Sequence, residues 1–420
     1  MNKHEKSVVI PAVIGGAVEF YEVYTNLYWY PLLTTAFYTF TSHFLEFFTL
    51  GIMLIVTLIS RPLGGLFFGY FGDRGGRKQQ LKYSVLIITI LNFLTPFLTI
   101  SSSWGLSLLG FLGIAKSIQG FSVGGEMPAV FCLLAEAGDR RRRRFLCSFA
   151  LLGPQIGQIV SMAQCMLFEN YFPKDFSLSW GWKISFWGAS LAGLIGWFFI
   201  GKIHEEEPHQ SKHLSHSVHN SVATLFKGYK KITFLAFCIS IFEVSGFFMI
   251  AFFLTEHFNK VFSFPTKYSA IITILSLVPI IIIQILAGKL GEKFSNKKLF
   301  KISAYIVGFS SIFAYFSLTA GLNIISLILL EILLVGMSIQ FALLPSLLAD
   351  MFPRSIRFTG IGLSFNLCNS LVGGMTPLVA LWIVKATGHE ASFLMVYPLL
   401  ATIFLFVLQF IPQKIIPDWR

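Results

Sequence analysis

Arg61-Pro-Leu-Gly-Gly-Leu-Phe-Phe-Gly-Tyr-Phe-Gly-Asp-Arg-Gly-Gly-Arg-Lys78 joins an apolar, glycine-punctuated run to a tight turn dense in charge. Upstream, apolar sequence extends back to about residue 44, and downstream a second run fills 79–100. Each run is long enough to cross the roughly 30 Å hydrocarbon core of a bilayer as a helix. Runs of this length recur along the whole chain. We place twelve spans at 9–37, 44–71, 79–100, 104–135, 145–168, 183–202, 231–256, 266–288, 299–319, 322–349, 358–385 and 392–411. Over all 420 residues, 55% are hydrophobic and 12% charged, about half the charge of an average soluble chain. No stretch shows the alternation of a membrane barrel, so the expected fold is an all-α integral membrane bundle.

An even number of spans puts both termini on one side. Most of the 32 Lys and Arg fall on that side, against Lys174, Lys183, Lys260, Lys267 and Lys385 on the other. The positive-inside rule makes the terminal side cytoplasmic, in a cell's inner membrane. The net charge of +12 and the run Arg140 to Arg144 do not imply nucleic acid, because the run lies between two spans, where it reads as a topology anchor or lipid contact. Met1 to Ser7 is polar and merges into the first span, which reads as a retained helix rather than a cleaved signal. The five cysteines all lie in spans without metal-ligand spacing and read as packing residues.

The longest polar interruption, His204 to Lys231, separates six spans from six, giving an N-terminal bundle 1–202, a linker 203–230 and a C-terminal bundle 231–420. His209 and His213 in the linker have the i,i+4 spacing of a metal pair, but the His-rich stretch reads as a flexible tether and no metal is expected. The halves repeat each other. Gly69-Tyr-Phe-Gly72-Asp73-Arg74 is echoed by Gly288-Lys-Leu-Gly291-Glu292-Lys293, and Ala135-Glu136 by Ala349-Asp350, at offsets of 219 (73 to 292) and 214 (136 to 350). Internal duplication explains this, and a site between two rocking halves is its usual consequence.

The opening segment resembles the loop between spans two and three of the major facilitator superfamily. Gly16-Ala-Val-Glu19-Phe20-Tyr21-Glu22, Lys116-Ser-Ile-Gln119-Gly120-Phe-Ser-Val-Gly124-Gly125-Glu126, Trp180-Gly-Trp182-Lys183, Pro353-Arg354-Ser-Ile-Arg357-Phe-Thr-Gly360 and Gly373-Gly374-Met-Thr-Pro377 resemble its metabolite:proton symporters. The resemblance implies twelve helices in two pseudo-symmetric six-helix bundles and alternating access. It also implies uptake of a small polar metabolite with protons and no cofactor beyond the proton gradient. It further implies a cytoplasmic gate at Asp73, Arg74, Arg77, Lys78, Glu136, Glu292 and Asp350. In that gate Asp73 would face the positive end of a helix, and Arg77 and Lys78 would pair with acids such as Glu136. The second-half loop has Ser295-Asn296 where the pattern has Arg-Gly, and Glu22 stands one methylene longer than the usual Asp. The chain ends at Arg420 just past span twelve, so a C-terminal coiled coil is not expected.

A charge at mid-membrane costs several kcal/mol and is kept where it faces the bundle interior or a wet cavity. The candidates are Glu19 and Glu22 in span one, Arg61 in span two, Lys116 and Glu126 in span four, Glu243 in span seven and Glu331 in span ten. At 100° per residue Glu19, Glu22, Asn26 and Trp29 share one side of span one, with Tyr21, Tyr24 and Tyr28 opposite. Lys116, Gln119, Val123 and Glu126 group on span four. Counting about 1.5 Å per residue from the cytoplasmic ends puts Glu19, Arg61 and Glu126 at one depth, roughly 18–20 Å, with Glu22 and Lys116 further out. A buried carboxyl favours its proton and an adjacent cation favours releasing it, so Glu19, Glu22 and Glu126 are the expected proton carriers. Expected substrate contacts are Glu22, Asn26, Trp29, Arg61, Lys116, Gln119, Glu243 and Glu331, with Asn366 and Asn369 on span eleven. Five acids against two bases favour a zwitterion, an amino acid or betaine, over a carboxylate, and Trp29 offers a cation-π face. A carboxylate carrier and a drug/proton antiporter are the alternatives. The partners expected are the substrate, protons and the lipid bilayer, with a monomer as the working unit.

Overall fold

The computed structural model describes residues 1–37, 59–97, 105–203, 221–249, 266–321 and 323–412. His209 and His213, with the rest of the His-rich stretch read as a flexible tether, lie outside them. The described residues form helices α1 (Lys3–Phe37), α2 (59–71), α3 (Arg77–Leu94), α4 (Gly105–Glu136), α5 (Leu152–Tyr171) and α6 (Trp182–Gly201). They continue as α7 (Lys230–Phe248), α8 (Thr266–Leu290), α9 (Asn296–Thr319), α10 (Ile324–Met351), α11 (Arg357–Thr387) and α12 (Val396–Val407). Ten helical stretches are long and apolar enough to cross a membrane. One of them, Ile59–Phe97, runs through the turn Gly72–Gly76 and so contains both α2 and α3, and α12 belongs to a shorter apolar helix, Ser392–Val407. Among the described residues this gives twelve helices assigned to the membrane bundle. At that turn Gly75 has φ 103°, a left-handed conformation that only glycine adopts without strain.

The surface is apolar and the interior holds the polar groups, the reverse of a soluble protein. Phe234, Phe309, Phe313, Phe316 and Trp382 are exposed, whereas Ser303, Gln340, Ser346 and Asn366 are fully buried. Lipid offers no hydrogen bonds, so helix ends and buried side chains find partners within the chain. Ser295 caps α9 by accepting from Lys298 N at 3.3 Å. Asn323 and Ser326 form a reciprocal box at the start of α10, at 2.9 and 3.0 Å. Ser303 donates to Gly336 O across α9 and α10 and accepts from Gln340.

Contacts divide the chain into two compact units. The first is Met1–Leu134, Ala150–Thr224 and Arg354–Asn366, and the second is Ala135–Phe149, Leu225–Pro353 and Leu367–Arg420. In the first, α1 packs along α5 and α6, and α3 along α6. In the second, α10 packs against α8 and α9, and α12 against α9 and α7. Small residues set the closest approaches, as expected where van der Waals packing rather than hydrophobicity holds helices together. Gly153 and Gly157 of α5, four apart, lie on the backbone of α1 at Val13 and Ala17, and Gly124 of α4 lies on the carbonyl of Arg61 in α2. A side chain at Gly157 would overlap Ala17 O. We expect Gly157→Leu to destabilise the protein by about 1–3 kcal/mol. Its detergent-solubilised thermal midpoint should fall by several degrees, while Gly113→Leu, at a position with open space around the Cβ, should not move it.

Candidate functional site

The rotation of α1 is fixed first. Tyr21, Thr25 and Trp29 recur every four residues and form one row of the helix. Tyr21 OH donates to Ser185 O at 3.2 Å and also meets Gln164. Thr25 bonds Ser161 at 3.1 Å, and Trp29 Nε1 donates to Ser185 Oγ at 3.0 Å. These bonds tie that row to α5 and α6. Trp29, expected on the acid stripe, belongs to this row. Its indole packs in a buried aromatic cluster with Phe168, Trp182 and Phe186, because its angle on the helix lies between the two stripes and the aromatic side takes it.

The neighbouring row, Glu19, Glu22 and Asn26, is thereby turned toward α2 and α4. Arg61 Nη2 lies 3.3 Å from Glu19 Oε1. Lys116 Nζ lies 3.6 Å from Glu22 Oε1, which also accepts from Gln119 Nε2 and Asn26 Nδ2. Lys116 in turn donates to Gln119 Oε1 at 2.6 Å. Side-chain exposure separates the partners: Arg61 retains 16% and Lys116 20%, against 0% and 3% for Glu19 and Glu22. The cations are therefore the accessible members of each pair. Glu126 is fully buried near Gly15, and among the described residues neither of its carboxyl oxygens has a hydrogen-bond partner, nor does Glu19 Oε2. It lies close enough to Arg61 and Glu19 for their charges to act on it. The depth count set Lys116 further out than Glu22, yet the two meet, because a lysine side chain reaches about 6 Å along its own helix and helix tilt covers the rest.

The remaining candidates divide. Asn366 of α11 accepts from Arg61 Nε at 3.3 Å and donates to Gly124 O and Gly362 O at 2.7 and 2.8 Å. In the second unit Glu243 is buried on α7 with Oε2 unpartnered, and α7 packs against the π-helical segment Asn369–Gly373 of α11 that contains Asn369. Glu331 lies half-buried beside Ser276 of α8, on the side of α10 that exposes Ile324, Ile328 and Ile332. That side of α10 is exposed at the isoleucines, while Glu331 Oε1 itself is buried.

The gate residues occupy two seams. In the first unit, Asp73 accepts from Phe358 N at 2.8 Å, Thr359 N at 3.0 Å and Thr359 Oγ1 at 2.6 Å. Phe358 and Thr359 open α11, whose first amides have no acceptor within the helix, so the carboxylate serves as a cap supplied from another helix. Gly65 and Gly69 of α2 and Gly72 of the following turn make room for this, lying against Gly362, Thr359 and Phe358. Arg77 donates to Arg354 O at 2.9 Å, Lys78 to Ile203 O at 2.6 Å, and Arg74 lies 4.0 Å above the Tyr70 ring. In the second unit Arg143 pairs with Asp350 and also donates to Ala135 O at 2.7 Å. Arg144 donates to the carbonyls of Gly291 and Phe294, beside Glu292. Arg143 and Arg144, read from sequence as part of an anchor or lipid contact, are thus engaged within the protein. The duplication carries the signal for this, because Arg143 and Arg357 are 214 residues apart, the same offset as Glu136 and Asp350.

This combination of a glycine-lined α2, an acid capping α11 and opposed charges at membrane depth agrees with the family comparison, in which the Major Facilitator Superfamily profile matches residues 12–377 and 233–419. The chain belongs to the Major Facilitator Superfamily. Among relatives, the proline/betaine transporter of Escherichia coli (strain K12) is 26% identical over 358 residues, covering 81% of this chain and 71% of that protein. The glycine betaine/proline/ectoine/pipecolic acid transporter of Dickeya dadantii (strain 3937) is 27% identical over 357 residues, covering 81% and 70%. A solved proton:xylose symporter superposes with TM-score 0.80 at 18% identity, covering 97% of this chain and 96% of its own, which establishes the shared fold. This superfamily member is a multi-pass membrane transporter and not an enzyme.

If the Asp73 carboxylate caps α11, Asp73→Ala should cost about 1–2 kcal/mol locally. Amide exchange at Phe358 and Thr359 should accelerate roughly five- to thirtyfold, with Asp73→Asn intermediate. Unchanged exchange would mean the cap holds nothing.

Proposed function

We propose that this transporter is a proton-coupled symporter that brings a zwitterion, an amino acid or a betaine, into the cell. The observation that carries the reading is the group of Glu22, Lys116, Gln119 and Asn26: one carboxylate and one ammonium within 3.6 Å, both at membrane depth. A zwitterion presents the complementary pair. Its carboxylate would meet the accessible cations Lys116 and Arg61, while its ammonium would be left to Glu22 and Asn26. A di- or tricarboxylate would find acids in excess. The names of the relatives, which specify proline and betaine, support the same class.

Proton coupling is assigned to the inner trio. A carboxyl buried without partners favours its proton, and one beside a guanidinium favours giving it up. Glu126 lacks partners, Glu19 holds Arg61, and both lie within reach of that guanidinium's charge. Movement of Arg61 between them would let one acid gain a proton as the other loses it. The two rocking bodies are assigned to 1–202 and 231–420, joined by 203–230, with the Asp73 and Arg143–Asp350 seams closing the cytoplasmic side. The chain is placed in the inner membrane with both termini cytoplasmic, working as a monomer.

The test is uptake of labelled proline, glycine betaine and citrate into proteoliposomes. An inward proton gradient should accelerate accumulation of proline or glycine betaine at least tenfold and leave citrate unaffected. Export driven by that gradient, or transport of citrate alone, would overturn the reading. Lys116→Gln should raise KM for the zwitterion at least tenfold. Glu126→Gln should abolish gradient-driven accumulation while leaving exchange of substrate across the membrane measurable.

A further inference from the structure

Asn366 has no role in the substrate contacts just proposed, and its bonding explains why. The amide is fully buried, both Nδ2 hydrogens are engaged by Gly124 O and Gly362 O, and Oδ1 accepts from Arg61. Little donor or acceptor capacity remains for a ligand. Its position is also specific. Phe358, Gly362 and Asn366 follow one another at four-residue spacing, so they form a single row of α11 that lies on α2. At one end of that row Asp73 holds Phe358 and Thr359, and at the other Arg61 holds Asn366. Between them Gly65 and Gly362 meet backbone to backbone. Asn366 is also the last residue of the stretch Arg354–Asn366 that packs with the first unit, and the π-helical segment Asn369–Gly373 begins one turn further on.

Arg61 therefore has two partners on one rigid fork: Nη2 on Glu19 and Nε on Asn366, both at 3.3 Å. A guanidinium is planar, so drawing Nη2 away from Glu19 carries Nε away from Asn366 as well. The other charged groups near this fork are Glu22 on α1 and Glu126 on α4. The corresponding tie in the second unit differs in kind. There Gln284 of α8 donates to the main-chain oxygen of Ser148 at 2.6 Å.

We propose that Asn366 is the positioning residue through which the state of the Glu19–Arg61 pair is transmitted to the docked start of α11, so that release of Arg61 from Glu19 frees that segment. The proposal rests on the proton-coupled reading above for its purpose, but not for its test.

The test compares amide exchange of residues 354–366 in the purified full-length transporter with equilibrium binding and net uptake of proline and glycine betaine. In Asn366→Ala, exchange should rise at least tenfold, binding should stay within about twofold, and proton-driven uptake should fall at least tenfold. Glu19→Gln should raise exchange similarly, and adding Asn366→Ala to it should change exchange less than twofold, because both act through Arg61. Where Asn366→Ala does not fold, Arg61→Lys, which has no planar fork to hold both partners, should raise exchange similarly. Independent, additive effects of Glu19→Gln and Asn366→Ala on exchange would overturn the proposal in favour of simple helix packing. A tenfold loss of binding in Asn366→Ala with exchange unchanged would overturn it too. If the native protein binds neither zwitterion, the proposed substrate class fails, and the exchange comparison still decides the role of Asn366.

Discussion

Hydrocarbon cannot solvate a charge, and the first unit is organised around that constraint. Arg61 and Lys116 are tolerated at membrane depth because Glu19 and Glu22 meet them, at 3.3 and 3.6 Å. The acids can be there because the neighbouring row of α1 is fastened to α5 and α6 through Tyr21, Thr25 and Trp29. That fastening depends in turn on Gly153 and Gly157, which let the two backbones approach closely enough for short side chains to bridge them. Packing of small residues thus sets helix rotation, and helix rotation sets which charges can pair.

The same constraint makes the pairs changeable. An ion pair in water gains little from its partner and loses little on separation, whereas one in a dry interior can part only when something else satisfies each group. Arg61 has alternatives in reach, since Glu126 is unpartnered and Asn366 already holds one of its nitrogens. In the proposed function a bound zwitterion adds a further partner for the accessible cations, so conformational change and ligand binding would compete for the same few groups.

Much of this was legible in the sequence, for identifiable reasons. Long apolar runs specify membrane helices directly, and the twelve expected spans correspond to the twelve helices described. Periodicity on α1 separated Glu19, Glu22 and Asn26 from the tyrosines, because polar groups in lipid can point only inward. Trp29 was misplaced because a residue on the border of two stripes is assigned by its neighbours, here Phe168 and Trp182, which a one-helix projection does not contain. Glu331 lies beside Ser276 of α8 with Oε1 buried, on a side of α10 whose outer isoleucines are exposed, a position that the periodicity of one helix does not resolve. Arg143 and Arg144 looked like an anchor because their acceptors, Asp350 and the carbonyls of Gly291 and Phe294, are distant in sequence. Backbone acceptors leave no compositional trace.

The π-helical turn at Asn369–Gly373 gives α11 one residue more than a regular helix would fit into the same length. Downstream of it the helix is out of phase with its own beginning by about 100°, the rotation contributed by one residue. Phe358, Gly362 and Asn366 therefore share a direction that their continuation at four-residue steps does not inherit, and Gly374–Thr387 presents a different side to its surroundings. One continuous helix carries two separate registers. Deleting a single residue within the turn would merge them, altering the orientation of every side chain beyond it without changing any of their identities.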